Sequence, residues 1–161
     1  MRASYLKGIM FGLTSGTITT LGMMVGLHSG THSKLAVLGG VITIAIADAF
    51  SDSLGIHISE EADKNKTHKE VWEATITAFL TKFFFALTFI VPLLLLTLNE
   101  AIIAGVIWGM ATLGLISFLM ARDKKEPAWK VMGEHWLIAI LVIATTHYVG
   151  GWIALTFGTI I

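Results

Sequence analysis

The sequence predicts an all-α integral membrane protein with five transmembrane helices, an N-terminus in the cytoplasm and a C-terminus outside. Of its 161 residues, 55% are hydrophobic and only 14% are charged, and the mean hydropathy is +0.77. Ordinary soluble domains are much less apolar. The length fits a single transmembrane domain that covers residues 1–161.

Five apolar runs are long enough to cross a bilayer, which takes about 20 helical residues. They cover approximately 8–27, 35–58, 74–98, 101–121 and 131–160. None alternates polar and apolar residues as a barrel strand does, so each run predicts a helix. The expected location is the cell membrane, or a vacuolar-type membrane, as a multi-pass protein.

The polar breaks define the helices in order. The first run follows the basic segment MRASYLKG and has no small-residue cleavage site, so it predicts a retained helix rather than a removed signal peptide. The second follows HSGTHSK, the third follows SEEADKNKTHKEVWE and the fifth follows RDKKEPAWK. Only Asn99 and Glu100 separate the third run from the fourth, which predicts a tight hairpin.

Basic residues predict the orientation. Lys34 lies alone on one side of the five-helix arrangement. Nine basic residues lie on the other side: Arg2, Lys7, Lys64, Lys66, Lys69, Arg122, Lys124, Lys125 and Lys130. The positive-inside rule assigns that side to the cytoplasm. The formal net charge of zero argues against nucleic acid as a partner, and the absence of cysteine excludes disulfides and thiolate metal sites.

Two carboxylates interrupt the second apolar run. Asp48 and Asp52 are four residues apart and so share one face of a helix. They lie roughly 16 and 10 Å inside its cytoplasmic end, at about 1.5 Å per residue from Ser59. An ionised carboxylate at such depth costs on the order of 3 kcal/mol. A divalent cation would offset this cost and the repulsion between the two, and oxygen ligands suit manganese or iron(II).

Lys82 offers an alternative partner for these carboxylates. It lies inside the third helix, roughly 15 Å from Trp72, at the depth of the aspartates. An Asp–Lys pair would neutralise one carboxylate without a metal. The second carboxylate would still need a proton or a cation, so the metal-site hypothesis and the ion-pair hypothesis both stay open.

The first helix combines small residues with hydroxyl groups. Gly12 and Gly16, then Gly22 and Gly26, have the small-xxx-small spacing that lets a second helix approach closely. Five hydroxyl residues either line a polar path or bond back to their own helix: Thr14, Ser15, Thr17, Thr19 and Thr20. Met23 is a candidate soft sulfur ligand, with packing as the alternative.

Acidic residues follow the second helix on the predicted cytoplasmic side. Glu60, Glu61 and Asp63 are close in sequence and could collect cations before transport. The alternative is a loop whose charges are solvated. Neither reading follows from the spacing alone.

Several segments, taken in order, resemble the vacuolar iron transporter family. GLTSGTITTLGMMVGL is similar to the first helix of that family, where a Gly-Leu-x-Asp-Gly motif opens a polar stretch. AFSDSLGIHISEEAD resembles its second helix, ITAFLTKFFFALTFIVPLLLL its third and WKVMGEHWLIAILVIATTHYVGG its fifth. The resemblance covers nearly the whole chain. It implies a homodimer that exchanges cytoplasmic iron(II) or manganese(II) for protons, along a path between the first helices.

The sequence departs from the family at three places. The aspartate of the first helix falls on Ser15, and a metal-binding methionine of the second helix falls on Asp52. The large glutamate-rich cytoplasmic domain is reduced to about a dozen residues, of which Glu61 to Asp63 match its beginning. Either ligation has moved to Asp48 and Asp52, which favours manganese or magnesium over iron, or metal transport has been lost.

Two other classes of function share part of this pattern. Intramembrane CDP-alcohol phosphotransferases share the Asp-x-x-x-Asp spacing of Asp48 and Asp52, but the opening Asp-Gly-x-x-Ala-Arg of their motif is absent and Ile44 replaces an internal glycine. A non-transporting assembly module, with the aspartates paired to Lys82, needs no substrate. The favoured prediction is a non-enzymatic, dimeric, proton-coupled exporter of Fe²⁺ or Mn²⁺, with the metal as substrate and no permanent cofactor.

Within that prediction the residues have distinct roles. Asp48 and Asp52 are the expected ligands, while Ser15, Thr19 and Met23 line the path on the first helix. The acidic residues after the second helix act at the entrance.

Overall fold

The computed structural model describes residues 2–158, with side chains from residue 3 onward. Six helices follow in order: α1 Arg2–Thr31, α2 Lys34–Glu61, α3 His68–Thr88, α4 Ile90–Leu95, α5 Leu98–Lys124 and α6 Ala128–Phe157. The described range contains no strand. Since α3 and α4 together form one span, His68–Leu95, five segments are long and apolar enough to cross a membrane. This confirms the predicted fold class, although the end of the fifth predicted run, at 159–160, lies outside the described residues.

Two helix boundaries differ from the sequence prediction. Asn99 and Glu100 lie in the first turn of α5 rather than in a loop. The Glu100 carboxylate accepts hydrogen bonds from the backbone N–H of Thr97, at 3.0 Å, and from its hydroxyl, at 2.8 Å. A threonine followed three residues later by a glutamate is a helix-start signal. The hairpin therefore turns two residues earlier, at Leu96 and Thr97.

The acidic connection is mostly helical. Glu60 and Glu61 complete α2, and α3 begins at His68, so residues 62–67 alone join the two helices. Thr67 and Glu70 form a capping box, in which Thr67 accepts from the Glu70 N–H and the Glu70 carboxylate accepts from the Thr67 N–H. The break between α3 and α4 falls at Phe89, and Pro92 supplies no N–H to the carbonyl of Thr88.

Helix α1 lies at the centre of the bundle. In the most apolar 18-residue stretch of α1, half of the residues are buried, whereas the corresponding share in α6 is 11%. Its glycines explain the close packing: a Cβ at Gly12 would lie 2.8 Å from the Ala78 carbonyl oxygen on α3, and a Cβ at Gly22 would lie 2.9 Å from Val142 Cγ1 on α6. Both pairs of small residues thus face neighbouring helices.

One apolar core joins α1 to α2, α3, α4 and α5. Its buried members are Leu21, Met24, Val37, Val41, Phe85, Phe89, Leu93 and Ala101. These residues lie toward the end of the bundle at which α1 ends and α2 begins. The opposite end, which we call the basic end, contains the start of α1 and the end of α2, joined by the ion pair of Lys7 with Glu60.

Candidate cation site

A network of four polar side chains lies between α1, α2 and α3. Lys82 Nζ is 2.5 Å from Asp48 Oδ2 and also forms an ion pair with Asp52 Oδ2. It donates to Ser15 Oγ at 2.9 Å, and Ser15 Oγ donates to Asp52 Oδ2 at 2.5 Å. The structure therefore brings together both aspartates, the lysine and Ser15. We call these four residues the Asp–Lys network.

The fold builds this network by close packing of α1 on α3. A Cβ at Gly16 would lie 3.2 Å from Lys82 Cγ, and a Cβ at Gly12 would lie 3.0 Å from the Lys82 backbone nitrogen. The two glycines leave room for the lysine stem to run along α1. The spacing of Asp48 and Asp52 then places both carboxylates on the face of α2 that the ammonium reaches.

Burial is unequal within the network. The Lys82 side chain is 2% exposed, whereas those of Asp48 and Asp52 are each 24% exposed. The ammonium is thus enclosed together with Asp48 Oδ2, while part of each aspartate side chain stays open.

The charges of the network do not cancel. Two ionised aspartates and one ammonium leave one negative charge inside the membrane, where an unbalanced charge is costly. One additional proton would neutralise the network. A divalent cation would neutralise the carboxylates fully, but it would then compete with Lys82 for their oxygens.

The ligand set is incomplete for a divalent metal held by protein alone. Within the part of the chain that the structure describes, no three His, Asp or Glu side chains converge as a metal-binding group. The oxygens of Asp48, Asp52 and Ser15 could supply part of a coordination sphere. Manganese and magnesium prefer six oxygen ligands, so water or further groups would have to complete it.

A cavity of about 560 Å³ begins next to the network, between α1, α2 and α6. Thr19 and Ile44 line it, and they lie one helical turn from Ser15 and Asp48 respectively. Met23, Gly22 and Gly26 line it as well. Of the predicted path residues of α1, Thr19 and Met23 therefore border this space, whereas Ser15 does not.

Most hydroxyls of α1 bond to their own helix. Thr14 donates to the Met10 carbonyl at 2.7 Å, Thr17 to that of Leu13 at 2.6 Å and Thr19 to that of Ser15 at 2.9 Å. These contacts match the back-bonding alternative. Ser15 differs, because its hydroxyl reaches across to α2 and α3.

The three predicted entrance acids have different surroundings. Glu60 is 2% exposed and pairs with Lys7 and, at 3.6 Å, with Lys66, so its charge is already balanced. Glu61 is exposed, with an oxygen 4.0 Å from His57 Nε2. Asp63 accepts from the backbone N–H of Asn65 at 3.0 Å. Glu60 lies eight residues from Asp52, or roughly 12 Å along α2.

Two histidine contacts were missed from the sequence. His57 Nδ1 lies 3.0 Å from Thr75 Oγ1, and His135 Nδ1 lies 2.6 Å from Ser117 Oγ. Each hydroxyl donates its proton to a backbone carbonyl of its own helix. Each hydroxyl thus contacts both its own helix and a histidine ring on another helix. No sequence spacing connects these partners, since they lie on different helices.

Comparison with family models finds no match to this chain, and comparison with curated proteins finds none.

Proposed function

We propose that this protein is a proton-coupled transporter that moves Fe²⁺ or Mn²⁺ out of the cytoplasm. The observation that carries the proposal is that the Asp–Lys network sets two carboxylates against one ammonium, one helical turn from residues that line a cavity. A purely structural ion pair needs one carboxylate for one ammonium. The second carboxylate has no ammonium of its own, so an exchangeable cation or proton can balance its charge.

Charge neutrality sets the number of protons exchanged for each metal ion in this proposal. The cation-free network is neutral when Lys82 is charged and one aspartate carries a proton. The metal-loaded network is neutral when both aspartates are ionised and Lys82 has lost its proton. Moving between these states exchanges two protons for one divalent cation, which requires no net movement of charge into the membrane.

Lys82 acts in this proposal as a tethered cation. Its ammonium binds the carboxylate oxygens when no metal is bound. When the ammonium loses a proton, those oxygens become free to bind the metal. The metal-free state thereby avoids two unpaired carboxylates in the membrane. Lys82 then does not repel the metal, because the lysine is neutral when the metal is bound.

The ligand chemistry favours hard cations. Carboxylate and hydroxyl oxygens suit manganese and magnesium better than a soft metal. Met23 lies eight residues, or roughly 12 Å, from Ser15 along α1. It would therefore act further along the path, not beside Asp52. The homodimer implied by the family resemblance belongs to this proposal and would add a second wall to the cavity.

A non-transporting assembly module is the second candidate. Its support is that Lys82 Nζ has three oxygen neighbours, one for each of its N–H donors. Such a network can fix the packing of α1, α2 and α3 without any ligand. The two candidates differ in one measurable respect, the release of protons when metal is added.

The test is metal titration of detergent-purified protein in weakly buffered solution, with pH recorded. The transporter proposal expects Mn²⁺ binding with release of about two protons per ion, and loss of both signals in Asp48→Asn and Asp52→Asn. Asp123→Asn, which removes a carboxylate near the end of α5, is the control and should leave both signals unchanged. Folded wild-type protein that binds neither Mn²⁺ nor Fe²⁺ would favour the assembly module.

A further inference from the structure

A second cavity, of about 680 Å³, lies at the basic end between α1, α5 and α6. Toward the other end of the bundle α1 and α5 are in close contact, since a Cβ at Gly105 would lie 3.0 Å from Met24 Cε. Toward the basic end the space between residues 3–14 of α1 and residues 119–124 of α5 stays open. In a bilayer this space borders the lipid of one leaflet.

The lining of the cavity changes from charged to apolar. Lys7 and Lys124 belong to the helix ends at its mouth. Met10, Phe11 and Met120 are among the apolar residues that line the rest of it. Lys7 and Phe11 are four residues apart, roughly 6 Å along α1, so one lipid can contact both a charged and an apolar side chain. The cavity suits an amphiphile with an anionic head.

The charge in and around the cavity also favours an anionic ligand. The charged residues that line the cavity are Lys7, Lys124 and Asp123, so the lining has a formal charge of +1. Over residues 122–134, four basic residues outnumber three acidic ones: Arg122, Lys124, Lys125 and Lys130 against Asp123, Glu126 and Glu134. Anionic lipids are concentrated in the cytoplasmic leaflet, to which the positive-inside rule assigns this end. Basic pockets between transmembrane helices on that side bind anionic headgroups.

We propose that this cavity binds one anionic phospholipid, with its phosphate against Lys7 and Lys124 and an acyl chain along Met10, Phe11 and Met120. His135 lines the same space, with Nδ1 2.6 Å from Ser117 Oγ. A ring nitrogen can hydrogen-bond the hydroxyls of a headgroup such as phosphoglycerol in either tautomer. This proposal does not depend on metal transport.

The lipid site would also act on the contact between α1 and α2. Lys7 pairs with Glu60, yet its side chain is 51% exposed. A phosphate can therefore share the ammonium without displacing the glutamate. Glu60 keeps Lys66 as a second partner at 3.6 Å. Lipid binding should accordingly stabilise the bundle instead of opening it.

Native mass spectrometry of the full-length, detergent-purified chain provides the test. Titration with phosphatidylglycerol should give one retained lipid per chain, whereas phosphatidylcholine with the same acyl chains should be retained at least about fivefold less well. Lys124→Gln should weaken phosphatidylglycerol binding about fivefold. Lys125→Gln, which removes the neighbouring charge outside the cavity lining, is the matched control and should have little effect.

A cavity-filling variant separates this site from general attraction to the basic end. Met120→Trp keeps every charge and should abolish the retained lipid, and Leu119→Trp serves the same purpose if the first variant does not fold. Equal retention of the two lipids, or equal losses in the two lysine variants, would overturn the proposal. Displacement of the lipid by millimolar glycerol phosphate would also overturn it, because a soluble anion would then suffice.

Discussion

Ser15 and Lys82, on helices α1 and α3, hold the same oxygen atom of Asp52 from two directions. Ser15 Oγ donates to Asp52 Oδ2 at 2.5 Å, Lys82 Nζ pairs with that oxygen, and the two donors are themselves 2.9 Å apart. The serine accepts one hydrogen bond and donates another, so its single hydroxyl links an ammonium to a carboxylate. Ser15 is therefore part of the network although it carries no charge.

Ser15 gives the first prediction. Ser15→Ala removes a hydrogen bond to a charged group and should lower the free energy of unfolding by about 1–2 kcal/mol. Ser15→Asp adds a third carboxylate and should raise Mn²⁺ affinity at least about tenfold, because cation sites are tuned by the number of charged ligands. Thermal unfolding and calorimetric titration measure the two effects.

The control for Ser15 is Thr14, whose hydroxyl bonds to the Met10 carbonyl of its own helix. Thr14→Ala should change neither Mn²⁺ affinity nor stability by a comparable amount. If Ser15→Asp binds no metal while remaining folded, the proposal that this network is a metal site fails.

Removing the buried ammonium has a larger predicted effect. Lys82→Met leaves two carboxylates without their counter-ion and should destabilise the protein by about 3–5 kcal/mol. Asp52→Asn should be much milder, since Asp48 and Lys82 then form a neutral pair. Thermal unfolding in detergent measures both, and Lys34→Met, which removes an exposed lysine at the other end of the bundle, is the matched control.

The stability ranking of these variants tests the charge assignment. A destabilisation by Asp52→Asn as large as that by Lys82→Met would contradict the view that the network has one carboxylate more than the ammonium needs. Added Mn²⁺ should restore much of the lost stability of Lys82→Met if the exposed carboxylates bind metal.

The sequence predicted the helices better than it predicted the partners of the polar side chains. Apolar runs sufficed for five spans, because a bilayer requires about 20 apolar residues for each. The helix start at Thr97 depended on a local capping signal inside an apolar context, and hydropathy does not detect it. Spacing placed Asp48 and Asp52 on one face of α2, but spacing cannot assign an ion pair between helices.

Lys82 shows where this limit lies. Depth estimates along separate helices made it a possible partner for either aspartate. They could not show that it contacts both, because that depends on the rotation of α3 against α1. Glycines set this rotation, since Gly12 and Gly16 allow contact distances that a larger side chain would prevent.

The glycine packing gives a further prediction. Gly12→Val should destabilise the protein by about 1–3 kcal/mol, because even its Cβ would lie 2.8 Å from the Ala78 carbonyl oxygen on α3. The matched control is Gly39→Val on α2, where an added Cβ has no neighbour within 4 Å. Thermal unfolding should separate the two variants clearly. Similar effects at both positions would show that helix propensity, and not contact between α1 and α3, determines the result.

The proposed exchange predicts a steep dependence of metal binding on pH. If one Mn²⁺ replaces two protons, its association constant should rise about 100-fold for each unit of increasing pH while both protons are bound in the metal-free state. If the lysine kept its proton when the metal binds, only one proton would be released and the rise would be about tenfold per unit. Titrations at a series of pH values give this slope, with Lys34→Met as the control that should leave it unchanged. A slope of about tenfold per unit in the wild-type protein would mean that the lysine keeps its proton in the metal-bound state, and the tethered-cation mechanism would be wrong.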